Sequence, residues 1–195
     1  LGLTALRALT MMTSVAAAAE ACETVDGFSP SRLQQHSLLT ARLARCLVGD
    51  RSLRDDAFTG GLLHDIGMLA LVVGMNKRYA LALRHSERSK RPLHEVEISF
   101  LGTSHVAVGA YLADIWGLPP VVVESIERHH DKQLPVGGEH NAVIHAVHLA
   151  QRAAECLEKS DHRFEGVGLT REQIDAINEE FSLADMPPIQ SEALL

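Results

Sequence analysis

Apolar residues along most of this chain recur at intervals of three and four, the spacing that lines one side of an α-helix. Polar or glycine-containing breaks separate these stretches, and Ser29-Pro30 is a typical helix start. The pattern predicts helices over residues 2–22, Ser29-Pro30 to Gly49, Ser52 or Asp55 to Gly74, Asn76 to about Glu87, 93–101, Gly102-Thr103 to Gly117, Pro119-Pro120 to Asp131, 141–158 and 171–181. Because alternating apolar patterns are nearly absent, the predicted class is all-α, a multi-helix bundle.

The domain organisation follows from one polar stretch, Lys159 to Gly168, which is the only candidate boundary. We expect one helical domain over residues 1–158 and a C-terminal appendage over residues 159–195, with a loosely ordered tail from Ser182. The apolar stretch from Leu3 to Ala19 resembles a secretion signal, but polar residues interrupt it and the chain begins with Leu. We interpret it as an amphipathic helix entered partway through a longer protein.

Composition narrows the classes of function. The chain has 195 residues, 46% of them apolar and 22% charged, which is typical of a soluble globular protein. Its formal net charge of −7 disfavours a general nucleic-acid binder, since phosphate recognition requires a basic surface. Uninterrupted apolar runs are too short for a membrane span. Its three cysteines are widely spaced without a CxxC pair, so we expect free thiols in a reducing, cytoplasmic setting.

The candidate chemistry lies in the histidines, of which the chain has eleven. His64 and Asp65 are adjacent at the margin of a predicted core, and neighbouring helical residues point about 100° apart, so other segments must complete any shared metal site. Further candidate ligands on other predicted helices are His36, His105, His129 and His130. Facing helices form metal sites in bundles, and mixed nitrogen and oxygen donors suit Fe, Mn, Zn or Ni better than Ca. A hydrogen-bonded cluster without metal is the alternative.

These residues belong to longer motifs. The motifs are His36-Ser37, residues 57–67 (AFTGGLLHDIG), residues 104–110 (SHVAVGA), Trp116-Gly117-Leu118-Pro119 and His129-His130. Together they resemble the HD superfamily and, within it, the HDOD signalling domains, over about residues 1–155. The resemblance implies an HD-like α-helical bundle, a bacterial cytoplasmic setting and attachment to a receiver domain in a two-component response regulator. HDOD domains begin with a further helical lobe, so this chain is similar to their C-terminal portion.

Three departures weaken the resemblance to active enzymes. HD phosphohydrolases carry a final Asp on the helix after the paired histidines, where this chain has Gln151. The HD-GYP phosphodiesterases have a Lys three residues after the motif Asp, where this chain has Met68, and their Gly-Tyr-Pro signature is absent. His148 lies one turn before Gln151 and is a candidate substitute ligand. A neutral amide binds a dication more weakly than a carboxylate does.

Three functions compete on this basis. The leading hypothesis is a non-catalytic signalling or protein-interaction module with a degenerate metal site, whose partners are an attached or cognate receiver domain and a sensor kinase. The rival is a metal-dependent phosphohydrolase or phosphodiesterase, and a DNA-binding regulator is disfavoured by the acidic charge.

The other histidines are interpreted as lining a helix face (His145, His148) or lying on the surface (His85, His94, His140, His162), and Trp116 as core.

Overall fold

The computed structural model describes residues 2–22, 24–134 and 139–159, together with positions 171, 172, 174, 175, 178 and 179. Helices dominate these residues and no strand occurs among them, which confirms the all-α prediction. The helices are α1 (Leu3–Glu20), α2 (Pro30–Leu47), α3 (Arg54–Leu63), α4 (Ile66–Ser89), α5 (Leu93–Leu101), α6 (His105–Ile115), α7 (Pro120–Arg128) and α8 (Glu139–Lys159). A 3₁₀ turn, Arg51–Leu53, precedes α3.

The short helix α3 lies at the centre of the bundle, in contact with α1, α2, α7 and α8. Helix α4 packs against α1, α5 and α6, and the helices α6, α7 and α8 pack in sequence. Fully buried side chains of α3 and α4, among them Leu62, Leu63, Ile66 and Leu69, fill the space between these layers. The junction between α3 and α4 is therefore surrounded by helices that are distant in sequence.

Two glycines set the distances between these helices. A Cβ atom on Gly61 would lie 2.8 Å from the Cα of Ala41, so only glycine lets α3 approach α2 this closely. A Cβ on Gly67 would overlap the carbonyl oxygen of His105, which fixes the start of α4 against the start of α6. Both contacts draw the flanking helices towards the junction.

The prediction of one continuous helix through the His64-Asp65 motif was wrong. Helix α3 ends at Leu63 and α4 begins at Ile66, with Asp65 at φ −104° and ψ 11° between them. Apolar spacing cannot reveal this break, because the residues on both sides of it are equally buried. His64 keeps helical backbone angles, so the change in chain direction occurs at Asp65.

The predicted boundary between a helix that ends at Gly74 and one that begins at Asn76 is confirmed. Helix α4 consists of two helical segments joined by a kink at Met75, whose backbone has φ −137° and ψ 32°. The second segment continues to Ser89, and within it Tyr79 and Ala82 are fully buried. The break in the apolar pattern therefore located the kink.

Two further expectations concern the membrane and the C-terminus. One helical stretch, Arg51–Ser89, is apolar and long enough to cross a bilayer, but 72% of its most apolar window is buried in the bundle, as in core helices. Helices α5 and α6 pass the same test only as a pair bent by 83°. The described positions of the predicted helix 171–181 are helical, and Ile174 is buried in the core. The tail from Ser182 lies outside the described residues.

Candidate metal centre

His64 and His129 follow the ends of α3 and α7, and their rings are held by the same kind of hydrogen bond. Nδ1 of His64 lies 2.8 Å from the carbonyl oxygen of Gly61, and Nδ1 of His129 lies 2.6 Å from that of Ile126. Carbonyl groups in the last helical turn lack intrahelical partners, so each ring caps its own helix. Because a carbonyl oxygen can only accept, Nδ1 carries the proton and Nε2 of the neutral ring is left with a lone pair.

His36 and His105 are held by carboxylates instead. Nδ1 of His105 lies 2.6 Å from Oε2 of Glu97, and Nδ1 of His36 lies 3.0 Å from Oε1 of Glu158. For both rings burial lowers the pKa, but the carboxylate partner and Asp65 raise it above its ordinary value overall. In all four histidines Nδ1 is therefore engaged outside the centre.

The Nε2 atoms of these four rings converge on the Asp65 carboxylate. Oδ2 of Asp65 lies 3.1 Å from Nε2 of His64 and 4.0 Å from that of His36. Oδ1 of Asp65 lies 3.5 Å from Nε2 of both His105 and His129. Each carboxylate oxygen therefore faces its own pair of imidazoles.

His130 completes one of two ligand groups that share Asp65. The Oδ1 group contains Asp65, His105, His129 and His130, and the Oδ2 group contains His36, His64 and Asp65. Within each group one ligand atom per residue lies within 4.8 Å of all the others. The structure thus brings together Asp65 and the five histidines of the main candidate ligand set, though not His148.

The electrostatics of the centre favour a cation. Burial would raise the pKa of Asp65, yet the neighbouring imidazoles, His64 first, hold it well below the ordinary value, so the carboxylate is charged. Burial, with the neighbouring imidazoles, lowers the pKa of His129 to about 4 and of His130 to about 2. Both rings are consequently neutral at neutral pH and can offer lone pairs to a metal.

Two buried nitrogen atoms without a hydrogen-bond partner test whether a metal ion suits this centre. The buried Nε2 atoms of His64 and His129 have no hydrogen-bond partner of acceptable geometry among the described residues. Unpaired buried acceptors are costly, and a cation at this position would satisfy them. With Nδ1 hydrogen-bonded outside, as metal-binding histidines usually are, the cluster could hold a divalent transition metal.

The comparisons with known proteins agree with this geometry. The HDOD domain family model matches residues 1–132. This chain belongs to the HDOD domain family. An uncharacterized protein of Treponema pallidum (strain Nichols) is 28% identical over 111 residues, which is 56% of this chain and 21% of that protein.

Solved structures show the same fold. An HDOD domain protein of unknown function from Geobacter sulfurreducens superposes with a TM-score of 0.67 at 23% identity, over 99% of this chain and 65% of that one. The "Putative phosphohydrolase" of Shewanella amazonensis SB2B gives 0.67 at 22% identity, over 97% and 65%. The MmoQ response regulator of Methylococcus capsulatus str. Bath gives 0.61 at 22% identity, over 83% and 62%. This chain therefore spans less than two thirds of each.

Gln151 occupies the position where the resemblance to HD phosphohydrolases places their final Asp. Its side chain is only 5% exposed and lines a cavity of about 320 Å³ together with His129 and His130. Its Nε2 atom donates a hydrogen bond of 2.9 Å to Oε1 of Glu155, one turn later. The amide therefore lies next to the paired histidines.

His148 lies outside both ligand groups. Its Nδ1 atom is 2.9 Å from the carbonyl oxygen of His129, so this ring supports the loop that carries the paired histidines. Its substitution for the missing carboxylate has no geometric support. Together with His145, it lies half-buried on α8, as predicted.

The interpretation of His94 as a surface residue was wrong. Its ring is half-buried and stacks on that of His130, with centroids 4.6 Å apart and planes 18° apart. His85 is exposed and Trp116 packs against the core, as predicted, whereas the side chains of His140 and His162 lie outside the described residues. Short helices leave the inward and outward faces of α5 difficult to distinguish from sequence.

Sequence reasoning missed the two carboxylates that hold His105 and His36. Glu97 had a detectable signal, because it lies four residues from both Leu93 and Leu101 and so shares their apolar face. Glu158 had none, since it meets His36 across 122 residues of sequence. The centre therefore includes partners that no local motif contains.

Proposed function

We propose that this chain is a non-catalytic signalling and protein-interaction module, the output region of a two-component response regulator, in which the HD site is retained as a metal centre. The observation that carries the proposal is Gln151. A buried neutral amide stands at the position where the resemblance places the last carboxylate of HD phosphohydrolases, and its Nε2 atom donates a hydrogen bond to Glu155. The ligand set is thus reduced to one carboxylate, Asp65, and imidazoles.

A ligand set with one carboxylate fewer can still bind a cation without supporting catalysis. A bound divalent cation supplies positive charge that can polarise a phosphoryl oxygen and acidify a water molecule. The histidines and Asp65 of this chain would hold such a cation between four helices, and its binding would stabilise their packing by linkage. Fe, Mn, Zn and Ni all accept this mixture of imidazole and carboxylate donors.

The signalling role rests on the family and on the arrangement of helices. An attached or cognate receiver domain, phosphorylated by a sensor kinase in the cytoplasm, would bias the packing of the bundle or the exposure of a partner surface. The similarity in fold to the MmoQ response regulator supports this reading. The acidic net charge argues against DNA as the partner.

Turnover measurements test the proposal. The protein is prepared with Fe, Mn, Zn or Ni, its metal content is measured by elemental analysis, and it is assayed on phosphomonoesters, nucleotides and cyclic dinucleotides. We expect metal in the wild type, less metal in His64→Ala, and no turnover above that variant. His85→Ala is the matched control. His85 is exposed, and among the described residues its ring contacts one other ring, that of Phe100. Turnover that His64→Ala abolishes and His85→Ala retains would contradict the proposal.

The alternative function is a metal-dependent phosphohydrolase or phosphodiesterase. It is favoured by the cavity of about 320 Å³ beside the paired histidines, because Lys132 and Arg152 line it and could bind a phosphate. In that case the metal-loaded wild type, rather than only a variant with a restored carboxylate, would hydrolyse one of these substrates.

A further inference from the structure

Glu97 is a carboxylate in an unusual place. It lies on α5 and its side chain is completely buried, next to the core residue Val96. Burying a carboxylate costs several kcal/mol unless hydrogen bonds or an opposite charge compensate for it. Its position therefore calls for specific partners.

The partners are two nitrogens of one residue. Oε2 of Glu97 accepts a hydrogen bond of 2.7 Å from the backbone N–H of His105 and one of 2.6 Å from Nδ1 of the same residue. His105 is the first residue of α6, where backbone donors have no intrahelical partner and a negative charge is favoured. Holding the backbone and the ring at once leaves the imidazole little freedom to rotate.

His105 needs this support because of its place in its helix. His64 and His129 follow the ends of α3 and α7, and each donates Nδ1 to a carbonyl three residues earlier. His105 begins α6, so no carbonyl of a preceding turn of that helix is available to it. Glu97, eight residues earlier, provides the acceptor that the local backbone does not.

Tyr79 extends the same arrangement away from the centre. It is fully buried, and burial followed by the negative charge of Glu97 raises the pKa of its hydroxyl well above the usual value. The phenol therefore stays neutral beside the carboxylate. Glu97 has His105 as its hydrogen-bonding partner.

We propose that Glu97 is a positioning residue of the metal centre, which fixes His105 with Nε2 directed at Oδ1 of Asp65 and strengthens that nitrogen as a donor to a divalent cation. The inference rests on the metal centre proposed above but not on the absence of catalysis. The geometry that carries it is the pair of hydrogen bonds that one buried oxygen of Glu97 accepts from His105, together with the 3.5 Å separation of Nε2 of His105 from Oδ1 of Asp65.

The experiment uses the variants Glu97→Gln and Glu97→Met, with Glu95→Gln as the matched control. Glu95 lies on the same helix, but it is paired with Arg91 at 3.5 Å and its side chain is 43% exposed. Two readouts are measured on each full chain. One is the ¹⁵N NMR signature of the His105 ring in metal-free protein at about pH 8, and the other is the affinity for Co²⁺ by spectroscopic titration.

We expect the wild type and Glu95→Gln to show His105 protonated at Nδ1. Glu97→Met removes the acceptor, so the ring should lose this fixed tautomer, and Co²⁺ affinity should fall about 10–100-fold, the range for loss of an outer partner of a metal-binding histidine. Glu97→Gln keeps an acceptor but removes the charge, so the tautomer should persist while affinity falls about tenfold.

Two results separate this inference from the proposed function. If Glu97→Met, or Glu97→Gln should the first variant not fold, keeps both the wild-type ring signature and the wild-type Co²⁺ affinity, Glu97 has only a packing role and the inference is overturned. A wild type that binds no Co²⁺ contradicts the metal centre itself. In that case the ring signature of Glu97→Met alone decides whether Glu97 positions His105.

Discussion

The two sides of Asp65 are built differently. On the Oδ1 side, His105 and His129 are buried and are held by a completely buried carboxylate and by a backbone carbonyl. On the Oδ2 side, the side chain of His36 is 12% exposed and is held by Glu158, whose side chain is 47% exposed. A cavity of about 590 Å³, lined in part by His36, Asp65 and Glu158, opens on that side.

We therefore expect the two sides to differ in how rigidly they hold their metal-binding side chains. The Oδ1 side is preorganised by the interior of the bundle, so its ligands should keep their positions with or without a cation. On the Oδ2 side, His64 is buried and held by the carbonyl of Gly61, but His36 depends on a partly hydrated ion pair, which contributes less because solvent screens it. We expect substitutions to cost more on the Oδ1 side, and four variants test this comparison.

The largest effect is expected for Asp65→Asn, because Asp65 is the one residue that the two groups share. An amide of the same shape removes the charge that faces both pairs of imidazoles. Co²⁺ affinity should therefore fall by more than about 100-fold, beyond the range for an outer partner, and the metal content after purification should fall with it. Asp131→Asn is the control, since that half-exposed carboxylate lies 3.9 Å from Arg128 and outside both groups. Equal metal content in the two variants would show that Asp65 is not a ligand.

The next effect concerns the rigidity of the Oδ1 side. Gly67→Ala places a methyl group against the carbonyl oxygen of His105, and we expect a loss of about 1–3 kcal/mol in the free energy of unfolding. Gly74→Ala in the same helix meets nothing within 4 Å and should stabilise the protein by about 0.5–1 kcal/mol. Urea denaturation measures both changes. Similar values for the two variants would mean that α4 and α6 are not tightly fixed to each other.

A smaller effect, a gain, is expected for Gln151→Asp. Restoring a carboxylate beside the paired histidines adds negative charge, and we expect Co²⁺ affinity to rise about tenfold, close to 1.4 kcal/mol. Gln35→Asp, at an exposed position of α2, adds the same charge elsewhere and should change affinity less than twofold. If Gln151→Asp gains phosphohydrolase activity that the wild type lacks, the residue at position 151 decides between the two functions. An equal gain in both variants would exclude a local effect.

The smallest effect is expected for Glu158→Gln. Its hydrogen bond to His36 is partly exposed, and the neutral amide can still accept from Nδ1, so Co²⁺ affinity should fall less than about threefold. The comparison with Glu97→Gln, for which about a tenfold loss is expected, measures the difference between the two sides directly. A larger loss for Glu158→Gln than for Glu97→Gln would reverse the order proposed here.

The helices were largely predictable because their signals are local. Ser29 was expected to start α2, and its hydroxyl oxygen accepts a hydrogen bond of 3.3 Å from the backbone N–H of Arg32. The expected end of α6 at Gly117 was equally close, since that residue adopts φ 69° after the helix. The break between Leu63 and Ile66 was not predictable from spacing, because packing on several sides makes the residues there uniformly apolar.

Part of the candidate site was likewise predictable from local sequence signals, and part of it was not. The motif around His64 and Asp65 and the paired histidines were visible in the sequence, and with them the family. Glu97 was detectable only as a carboxylate on an apolar helix face, and the stacking of His94 on His130 had no signal. These contacts depend on the angles between α5, α6 and α7, and those angles are set by side chains that are distant in sequence.

By itself, the sequence determined the all-α class, the HDOD family and the identity of the residues around Asp65, because helix periodicity and short motifs are properties of neighbouring residues. Only the tertiary structure decided that four Nε2 atoms converge on one carboxylate and that its two oxygens face differently protected histidines. The reason is physical. Close contacts such as Gly61 on Ala41 and Gly67 on His105 fix where helices cross, and the crossing points determine which side chains share the centre.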